Sequence, residues 1–291
     1  MRCACVDIGS NTTRLLVAER SGDGLREVVS VRRFARLKPA PDGDIPAEAI
    51  ARIADLVTAH VAMARKLGAT NVRAVATAAI RQASNGGELC QAVQRAAGVT
   101  VEVLSGQEEA ALAFEGALAT FDQPPEGVIG VIDVGGGSSE LVTGTAGDGV
   151  GWFASLAVGS GVLTDRHVRS DPPSLEELAA IRADIETTLN GVAPPAARLV
   201  LAVGGSATSL AGAAGGELAP ETIARVLSVL IAEPRAEAAR RLGLHGERTK
   251  LLPAGLLVLE AAWEAFGRMP LHVVRGGLRE GVVLRALAEG S

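Results

Sequence analysis

Asp133-Val-Gly-Gly-Gly-Ser-Ser-Glu140 follows an apolar run that extends from Val128 to Ile132. The run predicts a buried strand, and the three glycines predict a turn that brings bare backbone N–H groups close to a ligand. Successive N–H groups that point into one concavity bind anions, most often phosphate. Two carboxylates beside an anion site indicate a bound cation or a proton transfer. The stretch therefore predicts a phosphate-binding hairpin.

The same pattern occurs earlier in the chain, at Asp7-Ile-Gly-Ser-Asn-Thr-Thr-Arg14. Both copies run from an apolar strand through Asp, Gly and a small polar turn to a charged residue and a second apolar strand, and they align without a gap. Their separation is too long for a solenoid repeat and suits a duplicated domain. We therefore expect two similar domains whose phosphate-binding hairpins face one another across a cleft.

The composition of the 291-residue chain argues against several classes of function. Its 28 basic and 33 acidic side chains give a net charge of −5, so we expect no general binding of nucleic acid or of a membrane surface. Cys3, Cys5 and Cys90 lack metal-ligand spacing and indicate a reducing compartment, and the first two are expected in the core. A strand that begins at the N-terminus leaves no room for a signal peptide, which predicts a cytoplasmic protein.

Local signals place an arginine at the end of a strand. Apolar residues at helical spacing from Ile50 to Val61 predict a helix, with Asp44 as its cap. The strand predicted at Val72–Thr77 leads to Arg81, at a position where α/β proteins bind ligands. The alternative interpretation of Arg81 is a solvated surface residue.

Ser105-Gly-Gln-Glu108 is a capping box that predicts a helix to about Thr120. The box assigns Glu108 to the cap, whereas Glu109 is available as a general base that the helix dipole helps to keep ionised. An ordinary residue of the helix surface is the alternative for Glu109.

The linker Phe121–Gly127 predicts a domain boundary. Further on, the turn that begins at Gly204 either lines the same cleft or is a tight strand–helix packing point.

Two Asp-x-Gly hairpins and a later Gly-Gly-Ser turn resemble the actin-like fold. Six motifs in a fixed order narrow the resemblance, namely Asp7-Ile-Gly-Ser-Asn-Thr-Thr-Arg-Leu, Ala76-Thr-Ala-Ala-Ile-Arg81, Ser105-Gly-Gln-Glu-Glu109-Ala, Asp133-Val-Gly-Gly-Gly-Ser-Ser-Glu140, Gly204-Gly-Ser-Ala-Thr and Gly277-Leu-Arg-Glu-Gly281. Over nearly the whole chain they resemble the exopolyphosphatase / guanosine pentaphosphate phosphohydrolase family in its short form. The resemblance implies an α/β fold of two duplicated actin-like (ribonuclease H-like) domains, 1–122 with the C-terminal helix 279–291 and 123–278, around an interdomain active-site cleft.

The resemblance also implies hydrolysis of a terminal phosphoanhydride with Mg²⁺, or Mn²⁺ in its place. It implies that Glu109 is the catalytic base, that Asp133 and Glu140 hold the metal or the attacking water, and that Asp7 is a further metal ligand. The phosphate contacts that we predict are Gly9, Ser10, Asn11, Arg81, Gly135, Gly136, Gly137, Ser138, Gly204, Gly205 and Ser206. The implied partners are inorganic polyphosphate or a guanosine polyphosphate, and a second copy in a homodimer.

Two other functions are consistent with the motifs. An actin-like ATPase or small-molecule kinase would need an adenosine pocket around Gly204–Thr208 and no base at Glu109. A sensor that binds polyphosphate or guanosine polyphosphates without turnover would favour basic residues over carboxylates. The preference between polyphosphate and guanosine pentaphosphate stays open, because the basic candidates for a longer groove are scattered: Arg14, Arg81, Arg248, Lys250, Arg275 and Arg279.

Overall fold

The computed structural model describes residues 1–22, 24–35, 37, 43–122, 126–214 and 221–290. The chain divides into two compact units. Unit 1 comprises Met1–Asp122 and Gly276–Ser291, and unit 2 comprises Gln123–Arg275. The expected linker Phe121–Gly127 lies partly outside the described residues. Among the described helices, none is long and apolar enough to cross a membrane.

The described strands form one five-stranded sheet in each unit. They are β1 (Arg2–Ile8), β2 (Thr12–Ser21), β3 (Gly24–Phe34), β4 (Asn71–Ala76), β5 (Val101–Val103), β6 (Ile129–Val134), β7 (Ser139–Thr145), β8 (Gly149–Leu156), β9 (Leu199–Val203) and β10 (Leu271–Val273). The described helices are α1 (Ala47–Lys66), α2 (Ala78–Gln82), α3 (Gly86–Ala97), α4 (Gly106–Leu118), α5 (Ser160–His167), α6 (Leu175–Leu189), α7 (Gly204–Ala214), α8 (Thr222–Ala232), α9 (Arg235–Leu242), α10 (Gly246–Ala265) and α11 (Leu278–Glu289).

The two sheets share one topology. Unit 1 has the order β3-β2-β1-β4-β5 and unit 2 the order β8-β7-β6-β9-β10. In each sheet the first three strands pair antiparallel, and the fourth and fifth extend the sheet in parallel from the first. Counted from its own first strand, each order reads 3-2-1-4-5. The prediction of a duplicated α/β domain is therefore confirmed.

Both faces of the unit 1 sheet are covered by helices. Successive residues of a strand point to opposite faces. Val6 and Ile8 therefore pack in one apolar cluster with residues of α1 and α3. Cys3 and Cys5, fully buried, pack in a second cluster with residues of α11. The expected core position of these two cysteines is confirmed.

The ends of α1 only partly follow the prediction. Asp44 is not its cap, because the helix begins after Pro46 without any side-chain cap. The Asp44 carboxylate instead accepts a hydrogen bond from the Ser84 hydroxyl. Gly68 follows the helix with a φ of 82° and donates its N–H to the Arg65 carbonyl, as glycine commonly does where a helix ends.

Capping boxes start two helices, as their sequence predicts. Both reciprocal hydrogen bonds are present at Ser105–Glu108, before α4, and at Ser174–Glu177, before α6. The sequence did not predict α5. The first residues of α5 belong to Gly159-Ser-Gly161, a sequence without a helix-capping side chain.

Helix α11 packs on α4 through glycines. A Cβ on Gly116 would lie 1.9 Å from the carbonyl oxygen of Gly277, and a Cβ on Gly281 would lie 2.2 Å from that of Leu112. Gly276 donates its N–H to the Thr120 hydroxyl over 2.9 Å. These contacts explain why residues 276–278, which we expected in the second domain, group with unit 1.

Candidate active site

The hairpin of β6 and β7 brings two carboxylates to one face of the unit 2 sheet. Asp133 lies opposite Glu140 in the antiparallel register, and such pairs project on the same side. The Gly135 N–H donates to the Ser138 carbonyl over 3.0 Å and closes the turn. A Cβ on Gly135 would lie 2.7 Å from that carbonyl oxygen, so the turn requires glycine there.

The first turn of α5 binds this glycine turn. The N–H and hydroxyl of Ser160 both donate to the Gly135 carbonyl, over 2.9 and 3.1 Å. The N–H groups of Gly161 and Val162 donate to the Gly136 carbonyl over 2.9 and 3.0 Å. Two carbonyls of the turn are thus held by one helix end.

This contact determines where the N–H groups of the turn point. In a trans peptide the C=O of one residue and the N–H of the next point in opposite directions. Because the carbonyls of Gly135 and Gly136 point to α5, the N–H groups of Gly136 and Gly137 point away from it. Gly159 makes the close approach feasible, because a Cβ there would lie 2.6 Å from Gly136. Two N–H groups held in this way suit an anion.

Asp133 and Glu140 have different surroundings. Glu140 is 4% exposed and accepts a hydrogen bond from the Ser155 hydroxyl over 3.1 Å. Asp133 is half-buried. Its Oδ1 lies close to Gly204, since a Cβ added to Gly204 would be only 2.6 Å away. Gly204 has a φ of 85°, a conformation that glycine adopts at little cost. Gly204 therefore makes room for the Asp133 carboxylate at the start of α7.

Gly205 and Ser206, which follow Gly204 in the turn, have different surroundings. The Arg248 guanidinium, from the first turn of α10, lies against Gly205, where a Cβ would be 2.1 Å from Nη1. Ser206 is 2% exposed, and its hydroxyl packs against Gly255 of α10. Among these predicted phosphate contacts, Gly205 therefore lies next to a cation, whereas Ser206 is enclosed.

The hairpin of β1 and β2 has a comparable turn. The Gly9 N–H donates to the Thr12 carbonyl over 3.0 Å and closes the turn of residues 9–12. The Ala35 N–H donates to the Asn11 carbonyl over 2.9 Å, and the Leu37 N–H donates to the Ser10 carbonyl over 2.8 Å. The chain just after β3 thus holds this turn, as α5 holds the other.

Asp7 precedes this turn on β1. It lies opposite Arg14 of β2 and is half-buried. Burial raises the pKa of the Asp7 carboxyl above its usual value, and the charges of Arg14 and Arg279 oppose that rise. Asp7 is therefore a partly desolvated carboxylate with cations close by, which suits a metal ligand more than a solvated surface group.

Arg81 and Glu109 form an ion pair. One Arg81 nitrogen donates to Glu109 Oε1 and to the Leu104 carbonyl. The Glu109 side chain is 5% exposed and that of Arg81 28%. Glu109 is therefore not the surface residue of our alternative interpretation, and Arg81, predicted as a phosphate contact, also orients it. The adjacent Glu108 makes the cap.

Within each unit, the predicted residues gather at one edge of the sheet. β1, β4 and β5 are parallel, so the turn 9–12, Arg81 and the start of α4 follow their carboxyl ends. β6 and β9 are likewise parallel, and Gly204 pairs with Val134 directly beside the glycine turn. Ligands of α/β sheets bind at this edge.

The donor set of unit 2 fits Mg²⁺. This ion is commonly held by one or two carboxylates together with substrate phosphates and water. Asp133 and Glu140 offer two carboxylates on one face, beside the N–H groups of the glycine turn. Within the described ranges, no group of three or more His, Cys, Asp or Glu side chains forms a metal cage.

Sequence reasoning missed two contributors to this edge. One is the start of α5, whose signal was a Gly-x-Gly directly after a strand. The other is Arg248, which we grouped with scattered basic residues because no local pattern links α10 to the turn at Gly205.

The chain is similar to known proteins along most of its length. A model of the Ppx/GppA phosphatase family matches residues 17–289. The exopolyphosphatase 1 of Mycobacterium leprae is 30% identical, over 99% of this chain and 90% of that protein. The guanosine-5'-triphosphate,3'-diphosphate pyrophosphatase of Aeromonas hydrophila is 28% identical, over 96% of this chain and 58% of that protein.

A crystal structure of the Aquifex aeolicus member of the Ppx/GppA family superposes with a TM-score of 0.82 at 30% identity, over 100% of this chain and 99% of that one. The repeated 3-2-1-4-5 sheets thus belong to the actin-like fold of these proteins. Because both the family match and the structural similarity extend along nearly the whole sequence, the chain belongs to the Ppx/GppA phosphatase family.

Proposed function

We propose that the protein hydrolyses the terminal phosphoanhydride of inorganic polyphosphate, with short chains favoured, or of guanosine pentaphosphate. The observation that carries the proposal is the β6–β7 hairpin. Its two carboxylates lie on one face beside a glycine turn whose N–H groups are oriented by α5. Relatives named exopolyphosphatase and guanosine-5'-triphosphate,3'-diphosphate pyrophosphatase support it.

In this proposal Glu109 accepts the proton of the attacking water. Its burial and its contact with Arg81 hold the carboxylate in one orientation, which a general base requires. The N–H groups of Gly136 and Gly137 bind the phosphoryl oxygens, and the turn 9–12 and Arg81 bind further phosphate oxygens. Phosphoryl transfer depends mainly on such positioning and charge neutralisation.

Asp133 and Glu140 would hold Mg²⁺, with Asp7 as the further ligand. The ion would neutralise phosphate charge when bound. Mn²⁺ has the same preference for oxygen ligands.

The test is phosphate release by the purified protein with Mg²⁺, measured side by side on short polyphosphate, long polyphosphate, guanosine pentaphosphate and ATP. Release from polyphosphate or guanosine pentaphosphate, with ATP a poor substrate, is the expected result. Release from ATP alone would assign the chain to the actin-like ATPases or kinases instead. No release from any of the four would overturn the proposal.

Glu109→Gln should lower kcat by about 10²–10⁴, because glutamine keeps the contact with Arg81 but accepts no proton. Substrate binding should change little. Glu108→Gln is the matched control, since it alters the adjacent residue of the same helical turn and should leave kcat near the wild-type value. A Glu109→Gln variant with wild-type kcat would remove Glu109 from the role of base.

A further inference from the structure

We propose that Arg14, Arg32 and Arg279 form a subsite that binds substrate phosphates remote from the one that is cleaved. We call these three residues the arginine row. The inference rests on the proposed function and names the part of the substrate that unit 1 binds: a second anionic group, carried by a polyphosphate chain or by the distal diphosphate of guanosine pentaphosphate.

Strand register places the row on one face of the unit 1 sheet. Asp7 lies opposite Arg14, and Arg14 lies opposite Arg32. Residues that face each other across antiparallel strands project on the same side. The three side chains therefore form a line that starts at the candidate metal ligand and crosses β2 to the edge strand β3.

Helix α11 adds the third arginine to this face. The α11 side of the sheet carries Cys5 and Leu16, which have the same orientation as Asp7 and Arg14. Arg279, in the first turn of α11, donates to the Ser30 hydroxyl over 3.1 Å, two residues before Arg32. The three arginines thus come from β2, β3 and α11.

The row brings like charges close together, because Arg14 lies opposite Arg32. Like charges directly opposite each other in a sheet are destabilising. Partial desolvation of the guanidinium and the charge of Arg279 lower the pKa of Arg32. Asp7 and Glu280 are carboxylates close to the row, and Glu280 lies 3.6 Å from Arg279. Adjacent like charges favour a bound anion, and local conflicts of this kind are expected at functional sites.

The guanidinium of Arg32 is also positioned. It lies over the ring of Phe34, 5.9 Å from its centroid, and Phe34 occupies the same face of β3. Such cation–π contacts orient an exposed arginine. Arg32 is exposed to solvent, so a ligand reaches it without rearrangement of the core.

The spacing defines the ligand. Neighbouring strands lie about 4.8 Å apart, so the backbone at Arg32 is about 10 Å from that at Asp7. A ligand with several linked phosphates can extend along this distance from Asp7 to Arg32. A linear polyphosphate and guanosine pentaphosphate both carry further phosphates, so they share the chemistry that the row recognises.

The test compares Arg32→Gln with Arg33→Gln. Arg33 is the adjacent residue of the same strand, lies opposite Thr13 on the other face of the sheet, and is also exposed. For each variant we would measure kcat/KM on long polyphosphate, tripolyphosphate and guanosine pentaphosphate. The measured quantity is the ratio of kcat/KM on each longer substrate to that on tripolyphosphate, which cancels any loss of folded protein.

Arg32→Gln should lower the long-chain ratio about 5- to 20-fold, because one charge-assisted contact is lost. Arg33→Gln should leave the ratio unchanged, and Arg32→Lys should restore most of it. A lowered ratio for guanosine pentaphosphate as well would show that both sources use the row. A lowered ratio for one substrate alone would identify that source. Equal ratios in Arg32→Gln and Arg33→Gln, in an enzyme that releases phosphate, would overturn the inference while leaving the proposed function standing.

Discussion

Glu108 and Glu109 are adjacent in the first turn of α4, and their environments are opposite. Glu108 caps the helix at the surface, and hydrogen bonds from Ser105 lower its pKa. Glu109 is buried against Arg81. The sequence predicted the first role because both partners of a capping box lie within four residues. It could not predict the ion pair, because Arg81 precedes Glu109 by 28 residues and the contact depends on how β4 and β5 pair.

Asp7 is the residue whose charge state we expect to affect folding most directly. Burial raises its folded pKa above the ordinary value of 3.8, so ionisation is less favourable in the folded chain than in the unfolded one. The wild-type protein therefore loses stability as pH rises from 3.8 through the higher pKa that Asp7 has in the folded state. Asp7→Asn should raise the free energy of unfolding at neutral pH by about 0.5–2 kcal/mol and lower phosphatase activity.

Urea denaturation of both proteins at several pH values measures this effect. The difference should shrink as pH falls through 3.8, because Asp7 is protonated in both states below that value. Asp55→Asn, at an exposed position of α1, should shift stability by less than about 0.5 kcal/mol. A less stable Asp7→Asn variant at neutral pH would show that Arg14 and Arg279 outweigh the burial.

At the scale of elements, two similar turns are held by different neighbours. The segment after β3 binds the carbonyls of the first turn, and α5 binds those of the second. In each copy, two apolar stretches separated by an Asp-x-Gly turn predicted the hairpin. Helix α5 escaped prediction because it has only eight residues, a glycine at its second position and no capping side chain. Contacts with the turn and with α10 stabilise this helix, and no local pattern contains them.

Glu177 of α6 anchors the loop before that helix. It accepts hydrogen bonds from the N–H groups of Arg169, Ser170 and Ser174 and from the Ser170 hydroxyl, at 2.6 to 3.0 Å. These bonds lower its pKa from 4.5 to about 2. Glu177→Gln should therefore lower the free energy of unfolding at neutral pH by about 1–2 kcal/mol, after allowance for partial exposure.

The pH dependence identifies the cause. A depressed carboxyl pKa contributes stability that is complete above 4.5 and lost as pH falls to about 2. Denaturation curves of wild type and Glu177→Gln should therefore converge in acid. Glu176→Gln, in the same helical turn, is the control for loss of charge near the helix N-terminus. An equal loss of stability in both variants would count against the loop anchor.

For the molecule as a whole, the repeated sheet topology was predictable and the division of the chain was less so. The two Asp-x-Gly hairpins reveal the duplication because each repeat contains its own strand pattern. The membership of residues 276–278 in unit 1 follows from glycine contacts with α4, more than 150 residues earlier. A local sequence pattern does not indicate a contact between segments so far apart in the chain.

Gly116 is the position where this approach is closest. Gly116→Ala should lower the free energy of unfolding by about 1–3 kcal/mol, because its Cβ would meet the Gly277 carbonyl oxygen at 1.9 Å. Thermal and urea denaturation measure the loss. Gly212→Ala is the matched control in α7, where a Cβ would meet no atom within 4 Å, and it should stabilise by about 0.5–1 kcal/mol. A neutral Gly116→Ala would mean that α11 shifts without cost.

Unit 1 receives its last helix only after all of unit 2 in chain order. On the ribosome, residues 1–122 emerge before unit 2, and the face of β1 that carries Cys3 and Cys5 is only partly covered until Val283 and Leu287 of α11 follow. Unit 2 is one continuous segment of the chain. Domains generally fold as units while the chain is made, so we expect the second unit of this nascent protein to mature first. The first would meanwhile present its apolar sheet face to chaperones.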